Sequence, residues 1–246
     1  MKLTVVRLFL CVVMIASCSL YGATNITVNG SLFTFKNQPR LSEVLAPVAL
    51  KNDWYWSAST LHKLGNAEIN EKRDEVIIKL KQILMNSSGK PKEQNSIATL
   101  ISQIRQWKLA ERIPLAIDYD LARAKASLNP LFDEGDYLLN LVERPDSLYV
   151  FGALFSETMI THKDAADVSD YLLGISLPAN ADKDYVYVIQ ADGKTMRVPY
   201  AYWNRGHQEI MPGSQLYIPF KTQLFSSDIE KINEQIVFLA VNRILS

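Results

Sequence analysis

The sequence predicts an α+β protein of two β-grasp-like units, with a helical hairpin inserted in the first and an amphipathic helix at the C-terminus. Three observations carry this. Short strand-like runs are separated by Asn29-Gly30 and Asp192-Gly193, residues 67–110 show helical periodicity, and a second helical stripe begins after Ser227. Of the 246 residues 48% are hydrophobic and 21% charged, the balance of a packed chain rather than a disordered or low-complexity one. At about 150 residues per domain, that length accommodates one large unit or two small ones.

Residues 1–22 read as a signal peptide. Lys2 and Arg7 precede the apolar run Leu8–Ala16, which is short for a membrane span, and no acidic residue occurs before Glu43. Ordinary cleavage near Gly22 is the preferred reading. Lipidation of Cys18, in a lipobox-like Ile15-Ala16-Ser17-Cys18, is the alternative. Cys11 and Cys18 are the two cysteines, so on either reading no disulfide or catalytic thiol is expected after processing. Taking Lys2 and Arg7 from the 26 basic residues leaves 24 against 26 acidic ones, a balance of −2. With no dense basic cluster, nucleic acid is not an expected partner.

The first unit, 23–145, opens with Ile26–Phe35, two strands around Asn29-Gly30. A short Pro-interrupted helix is expected over Pro39–Leu50. The cluster Trp54-Tyr55-Trp56 is either a core plug at a strand end or a sugar-stacking platform. Within 67–110, Ile69, Val76, Ile77, Leu80, Ile83 and Leu84 form one helical stripe, and Ile97, Leu100, Ile101, Ile104 and Trp107 a second. Between them, Asn86–Pro91 is rich in helix-breaking residues. Ile113–Asp120 alternates like a strand, which would put Asp118 and Asp120 on one face, and Asp136–Val142 is a further strand. The second unit, 146–225, follows Arg144-Pro145-Asp146. It is expected to hold a strand over Ser147–Leu154, a loop, and a short helix over Ala165–Leu173. A hairpin with a type I′ turn at Asp192-Gly193 and a closing strand at Gln215–Phe220 complete it.

The terminal helix, 226–246, has Ser227 and Glu230 spaced as a capping box, and Ile229, Ile232, Ile236 and Leu239 form its apolar stripe. Either it docks on its own unit, or it meets a partner or a membrane surface. On the second alternative, its deletion leaves a folded protein.

Chemistry is sparse. His62, His162 and His207 lie in three separate segments without metal-ligand spacing, and there is no nucleophile elbow, phosphate loop or dinucleotide fingerprint. Asp118/Asp120 and Asp164/Asp167/Asp170 are either carboxylates of the kind glycosidases use or turn-capping and solvated charges. Neither a metal nor a cofactor is expected.

Several stretches carry a resemblance. Pro199, Ala201, Trp203, Asn204, His207, Glu209, Pro212, Gly213 and Ser214 follow the pattern P-x-A-x-W-N-x-x-H-x-E-x-x-P-G-S, which resembles the C-terminal signature of the capsule-biosynthesis GfcC family. Arg112-Ile113-Pro114 with Asp118-Tyr119-Asp120 is similar to that family's R-x-P…D-x-D segment, and Gln38-Pro39-Arg40-Leu41 to its Q-P-R/Q-L. Trp54-Tyr55-Trp56 stands where the family has W-W-P, with Ser57 in place of the proline. The resemblance implies two β-grasp domains, a helical insertion and a C-terminal helix. That layout is similar to the periplasmic domains of outer-membrane polysaccharide exporters. It also implies a periplasmic, non-enzymatic accessory of capsule or exopolysaccharide biosynthesis, assembly or export. Its expected partners are surface polysaccharide or the outer-membrane export machinery, with membrane contact through the terminal helix or a lipidated Cys18. The competing expectation is a polysaccharide-modifying hydrolase or lyase using Asp118/Asp120 or His207/Glu209. Candidate binding residues are Arg112, Trp203, Asn204, His207 and Glu209. For Arg112 two readings stand: a structural pair with a carboxylate, or a planar fork facing a cleft. The Trp203–Glu209 run is either a structured loop with a His207–Glu209 pair or a surface that contacts glycan or partner.

Overall fold

A computed structural model describes residues 23–87, 89–221 and 227–245. The expected signal segment, Cys18 and the capping side chain of Ser227 lie outside the described residues. Within them are ten strands in two five-stranded mixed sheets, and six α-helices.

The first sheet has the order β2-β1-β5-β3-β4, from Thr24–Val28 (β1), Ser31–Phe35 (β2), Thr60–Lys63 (β3), Glu111–Arg112 (β4) and Gly135–Asn140 (β5). Asn29 and Gly30 both have positive φ (45° and 84°), so the turn between β1 and β2 is the primed kind whose twist matches the strands it joins. β1 runs parallel to β5, and β3 pairs antiparallel with β5 and β4. Ile26, Val28, Leu61 and Leu139 cover one face. Against it pack Leu41, Val44 and Leu45 of α1 (Leu41–Leu45), Ala122 of α4 (Tyr119–Ala124) and the loop residues Ile117 and Phe132.

The second sheet, β7-β6-β10-β8-β9, repeats this order with Ser147–Gly152 (β6), Thr158–Thr161 (β7), Tyr185–Ile189 (β8), Thr195–Pro199 (β9) and Gln215–Ile218 (β10). Its first and last strands, β6 and β10, are parallel, and a short helix, α5 (Val168–Leu172), lies between its second and third strands. The first sheet has the same parallel pair and the same helix position. At Gly152 (φ +115°) a Cβ would stand 2.2 Å from the Ile218 carbonyl, so the close approach of β6 to β10 requires glycine.

Four local expectations are corrected. The strand expected over Ile113–Asp120 is only Glu111–Arg112. Ile113 N–H still reaches the Leu61 carbonyl, but Pro114 has no N–H to continue the ladder, and Asp118 becomes the N-cap of α4. Asp118 and Asp120 therefore share no strand face. The loop expected after Leu154 contains the edge strand β7. The Asp192-Gly193 turn is not type I′. Gly193 N–H bonds to the Gln190 carbonyl and only Gly193 has positive φ, a three-residue connection with glycine in the left-handed position. Trp54-Tyr55-Trp56 ends in a 3-10 turn, Trp56–Ala58, rather than a strand.

The helical hairpin is formed by α2 (Ala67–Asn86), capped by the Asn66 side chain, and α3 (Pro91–Gln106), with Pro91 at its first turn. It follows β3 of the first sheet, yet its stripes do not close on each other alone. Ile69, Val76, Leu80, Ile97, Leu100 and Ile104 join Leu148, Val150, Phe151 and Leu216 in the core of the second sheet. Trp107 sets its ring edge-on to Phe151 at 5.2 Å.

The terminal helix, α6 (Ser227–Val241), is core as well. Ile232, Ile236, Leu239 and Ala240 are buried on the same cluster. Asn233 accepts from the Tyr217 hydroxyl (2.7 Å) and the Phe220 N–H (3.2 Å) and donates to the Phe220 carbonyl (3.0 Å). The stripe Ile232, Ile236 and Leu239, expected to meet either its own unit or a membrane or partner, is thus covered by its own fold, while Phe238 stays 38% exposed. No helix among the described residues is long and apolar enough to cross a membrane.

After α6 the chain returns to the first sheet. Ala110 N–H bonds to the Asn242 carbonyl, Ile244 N–H to the Lys108 carbonyl, and the Asn140 side chain to the Leu245 carbonyl. Arg243 pairs with Glu157 at 2.8 Å and lies over the rings of Trp107 and Tyr149.

Candidate cleft between the two sheets

Between the two sheets and α6 opens a cleft of about 1170 Å³. Trp56 and residues 114–118 line it from the first unit, Asn66, Glu68, Ile69 and Lys72 from the start of α2, and Tyr187 and residues 192–197 from the second unit. Val237, Phe238 and Val241 of α6 complete it.

Arg112 reaches this cleft from the edge strand β4. Its backbone N–H donates to Asn242 Oδ1 (2.9 Å), which fixes the strand against the chain leaving α6. Its guanidinium Nη2 donates to the Ala191 carbonyl (2.6 Å) in the β8–β9 turn, joining the two units through one side chain. A Cβ on Gly193 would stand 2.9 Å from Arg112 Nε, so glycine there lets the turn backbone lie on the guanidinium. Among the described residues Arg112 makes no ion pair. The nearby Asp192 is engaged by Lys194 at 2.7 Å. Burial pulls the Arg112 pKa below its ordinary value while Asp192 pushes it back, and an arginine stays charged under both. Arg112 thus lines the cleft with its guanidinium on a backbone carbonyl rather than on a carboxylate.

The Pro212-Gly213-Ser214 run holds the carbonyl that Arg112 uses. Ser214 Oγ accepts from the Ala191 N–H (3.2 Å) and donates to Gln190 Oε1 (2.8 Å), which also accepts from Met211 N–H. In the sequence Ser214 stands only as the last residue of the P-G-S pattern. Its contact with Ala191 spans the gap between two loops and leaves no local signal.

Behind Arg112, directly across the β3–β4 ladder, lies His62, 1% exposed, with neither ring nitrogen hydrogen-bonded among the described residues. Burial first, then the charge of Arg112, lower its pKa to about 4, so the ring is neutral at pH 7.

The other cleft charges are largely paired: Lys72 with Glu68 (2.7 Å), Lys194 with Asp192, and Arg197 with Glu230 on α6 (4.0 Å). Burial pushes Asp192 up, but its bonds to Lys194 and the nearby cations outweigh this and hold it below the usual carboxylate range. Asp118 lines the cleft, yet its carboxylate accepts the Leu121 N–H as a helix cap. Trp54 packs on the first core and donates to the Val48 carbonyl, and Trp56 joins that core while facing the cleft.

Trp203, Asn204, His207 and Glu209 are not brought to Arg112. They occupy the loop after β9, outside the cleft lining. His207 and Glu209 are exposed and form no ion pair with each other among the described residues. The loop is held instead by Arg205, one of the variable positions of the W-N-x-x-H pattern. Its Nε and Nη2 both donate to Asp167 (2.9 and 2.7 Å), the residue that also caps α5.

Comparison with known proteins places the chain in a family. The model described as Capsule biosynthesis GfcC, N-terminal, matches residues 21–144, and the one described as Capsule biosynthesis GfcC C-terminal matches residues 157–245. The chain belongs to the capsule biosynthesis GfcC family. It is also similar to a protein of Escherichia coli (strain K12) described as "Uncharacterized protein YjbG". The two are 28% identical over 247 residues, covering 99% of this chain and 98% of that one.

Proposed function

We propose that the chain is a periplasmic, non-enzymatic accessory of capsule or exopolysaccharide assembly or export, built on two β-grasp units. In this reading it holds an acidic segment of polysaccharide, or of an export partner, in the cleft around Arg112. The single observation behind it is Arg112: a half-buried cation, braced by the Ala191 carbonyl, lining a large cleft and without an ion pair among the described residues. A planar guanidinium held this way favours a carboxylate, which it binds through two parallel hydrogen bonds. The apolar walls Trp56, Leu115, Met196 and Phe238 suit the flat faces of sugar rings. Family membership supports the biosynthetic setting. Support for a binding role over catalysis comes from the carboxylates: Asp118 is used as a cap and Asp192 is held below the usual range, whereas a general acid needs a raised pKa.

The test uses the extracellular polysaccharide of the bacterium that encodes the chain, cast into a native gel. Retardation of the wild-type protein that Arg112→Ala abolishes and Arg112→Lys does not restore supports the cleft. New reducing ends on incubation, lost in Asp118→Asn, would replace this reading with that of a hydrolase.

A further inference from the structure

Tyr202 is fully exposed and Trp203 is 73% exposed, side by side on the loop between β9 and β10. Neither ring contacts another ring or a cation among the described residues. Scattered exposed apolar side chains are ordinary, but two adjacent large aromatics directed to solvent from a braced backbone are not.

The loop is held on both sides of the pair. Before it, Tyr200 donates from its hydroxyl to the Asp182 carbonyl (3.0 Å) and from its N–H to the Asp184 carbonyl, and Ala201 is buried. After it, Asn204 N–H turns back to the Ala201 carbonyl, its side chain reaches the Asp184 carbonyl, and Arg205 grips Asp167. Further on, Gln190 donates to the Glu209 carbonyl, and the Ile210 carbonyl meets His162 Nε2 at 2.8 Å. The rings therefore stand on a fixed support, and little backbone entropy is lost when something lies on them.

We infer that Tyr202 and Trp203 form a second, separate polysaccharide contact: a platform on which the apolar faces of neutral pyranose rings stack. Two features select a glycan over a protein. First, two aromatic side chains offer at most about 500 Å² of contact, short of the roughly 800 Å² per partner that a specific protein interface buries, yet enough for one or two sugar rings. Second, the axial C–H bonds of a pyranose carry partial positive charge and meet the negative face of an aromatic ring. The exposed His207 and Glu209 and the half-buried Gln208, further along the same loop, supply donors and acceptors for the hydroxyl rim. This platform rests on the reading of the chain as a polysaccharide-binding accessory, and it differs from the Arg112 cleft in position and in ligand charge.

The experiment runs four proteins through native gels containing the same extracellular polysaccharide: wild type, Tyr202→Ala/Trp203→Ala, Trp203→Phe and Arg112→Ala. The double variant is expected to bind about tenfold more weakly with an unchanged melting temperature, and Trp203→Phe to keep most of the affinity because the face is retained. Full retardation of the double variant overturns the platform. If Arg112→Ala is also fully retarded, the cleft reading falls with it; if Arg112→Ala loses retardation, the cleft stands alone. Weakening in the double variant with none in Arg112→Ala supports the platform and removes the cleft. No retardation of wild type overturns both. A second measurement guards against misfolding. Trp54 and Trp56 are half-buried and Trp107 buried, so Trp203 dominates iodide quenching of tryptophan fluorescence. Saturating polysaccharide is expected to reduce that quenching at least about twofold in wild type, since a stacked ring is shielded. Unchanged quenching overturns the proposal.

Discussion

At Gly193 the left-handed backbone (φ +91°) and the closeness of Arg112 act together. Gly193→Ala strains the turn by about 1 kcal/mol and drives a methyl group into the guanidinium. The expected result is a folded protein, by circular dichroism, whose polysaccharide retardation falls as far as that of Arg112→Ala. His62 makes a pH prediction. Its folded pKa of about 4 lies below the ordinary 6.5, so the unfolded chain binds the extra proton between those values. Stability from keeping the ring neutral is fully present above pH 6.5 and falls as pH drops toward 4, by about 3 kcal/mol across the window. Urea unfolding at steps across that range should show the loss, and His62→Leu should flatten it. Arg112 stands out in the sequence, but what meets it does not. Ala191 and Gly193 lie some 80 positions further on, and the contact exists only because two sheets come together. Nothing in the local sequence marked His62 either, since a lone histidine between Leu61 and Lys63 looks the same whether solvated or orphaned.

Elements were legible where their signal is local and their partners were not. Asn29-Gly30 specifies its hairpin by itself, because both residues accept the left-handed conformation that the turn needs. The stripes of α2 and α3 likewise follow from spacing, but spacing does not name the surface they cover, and that surface is the second sheet. The strand expected at 113–120 fails because alternation over so short a run also describes an extended segment leaving a sheet edge, and Pro114 ends the ladder. For α6, periodicity left docking and partner contact open, and the buried Asn233 network decides for docking. Removing 227–246 withdraws Ile232, Ile236, Val237 and Leu239 at about 1.5–3 kcal/mol each, a sum comparable to a whole domain's stability. The truncated chain is therefore expected to lose its cooperative thermal transition. A native-like melt would show that the helix is dispensable.

On the scale of the whole molecule, the two sheets share a topology but not a surface of their own. The inserted hairpin, the segment 242–245 and the Arg112–Ala191 bond each belong to one unit and end in the other. Such ties predict one cooperative unfolding step rather than two. Asn242→Ala removes the acceptor for Arg112 N–H, and Arg243→Ala removes the ion pair with Glu157. The double variant is expected to split the calorimetric transition into two, while the secondary structure measured by circular dichroism stays unchanged.

The hairpin also imposes an order of events. A chain made from its N-terminus presents residues 67–106 well before β6–β10 exist to receive them. Ile69, Val76, Leu80, Leu100 and Ile104 must wait in water until the second sheet forms, and that sheet is itself unfinished until α6 closes over it. Nucleation therefore cannot be completed by the first half alone, and an interrupted chain carries an uncovered greasy hairpin, the kind of transient species that aggregates or calls on a chaperone. Closure of the second core waits for α6: its packing is complete only once Ile232, Ile236 and Leu239 have been made.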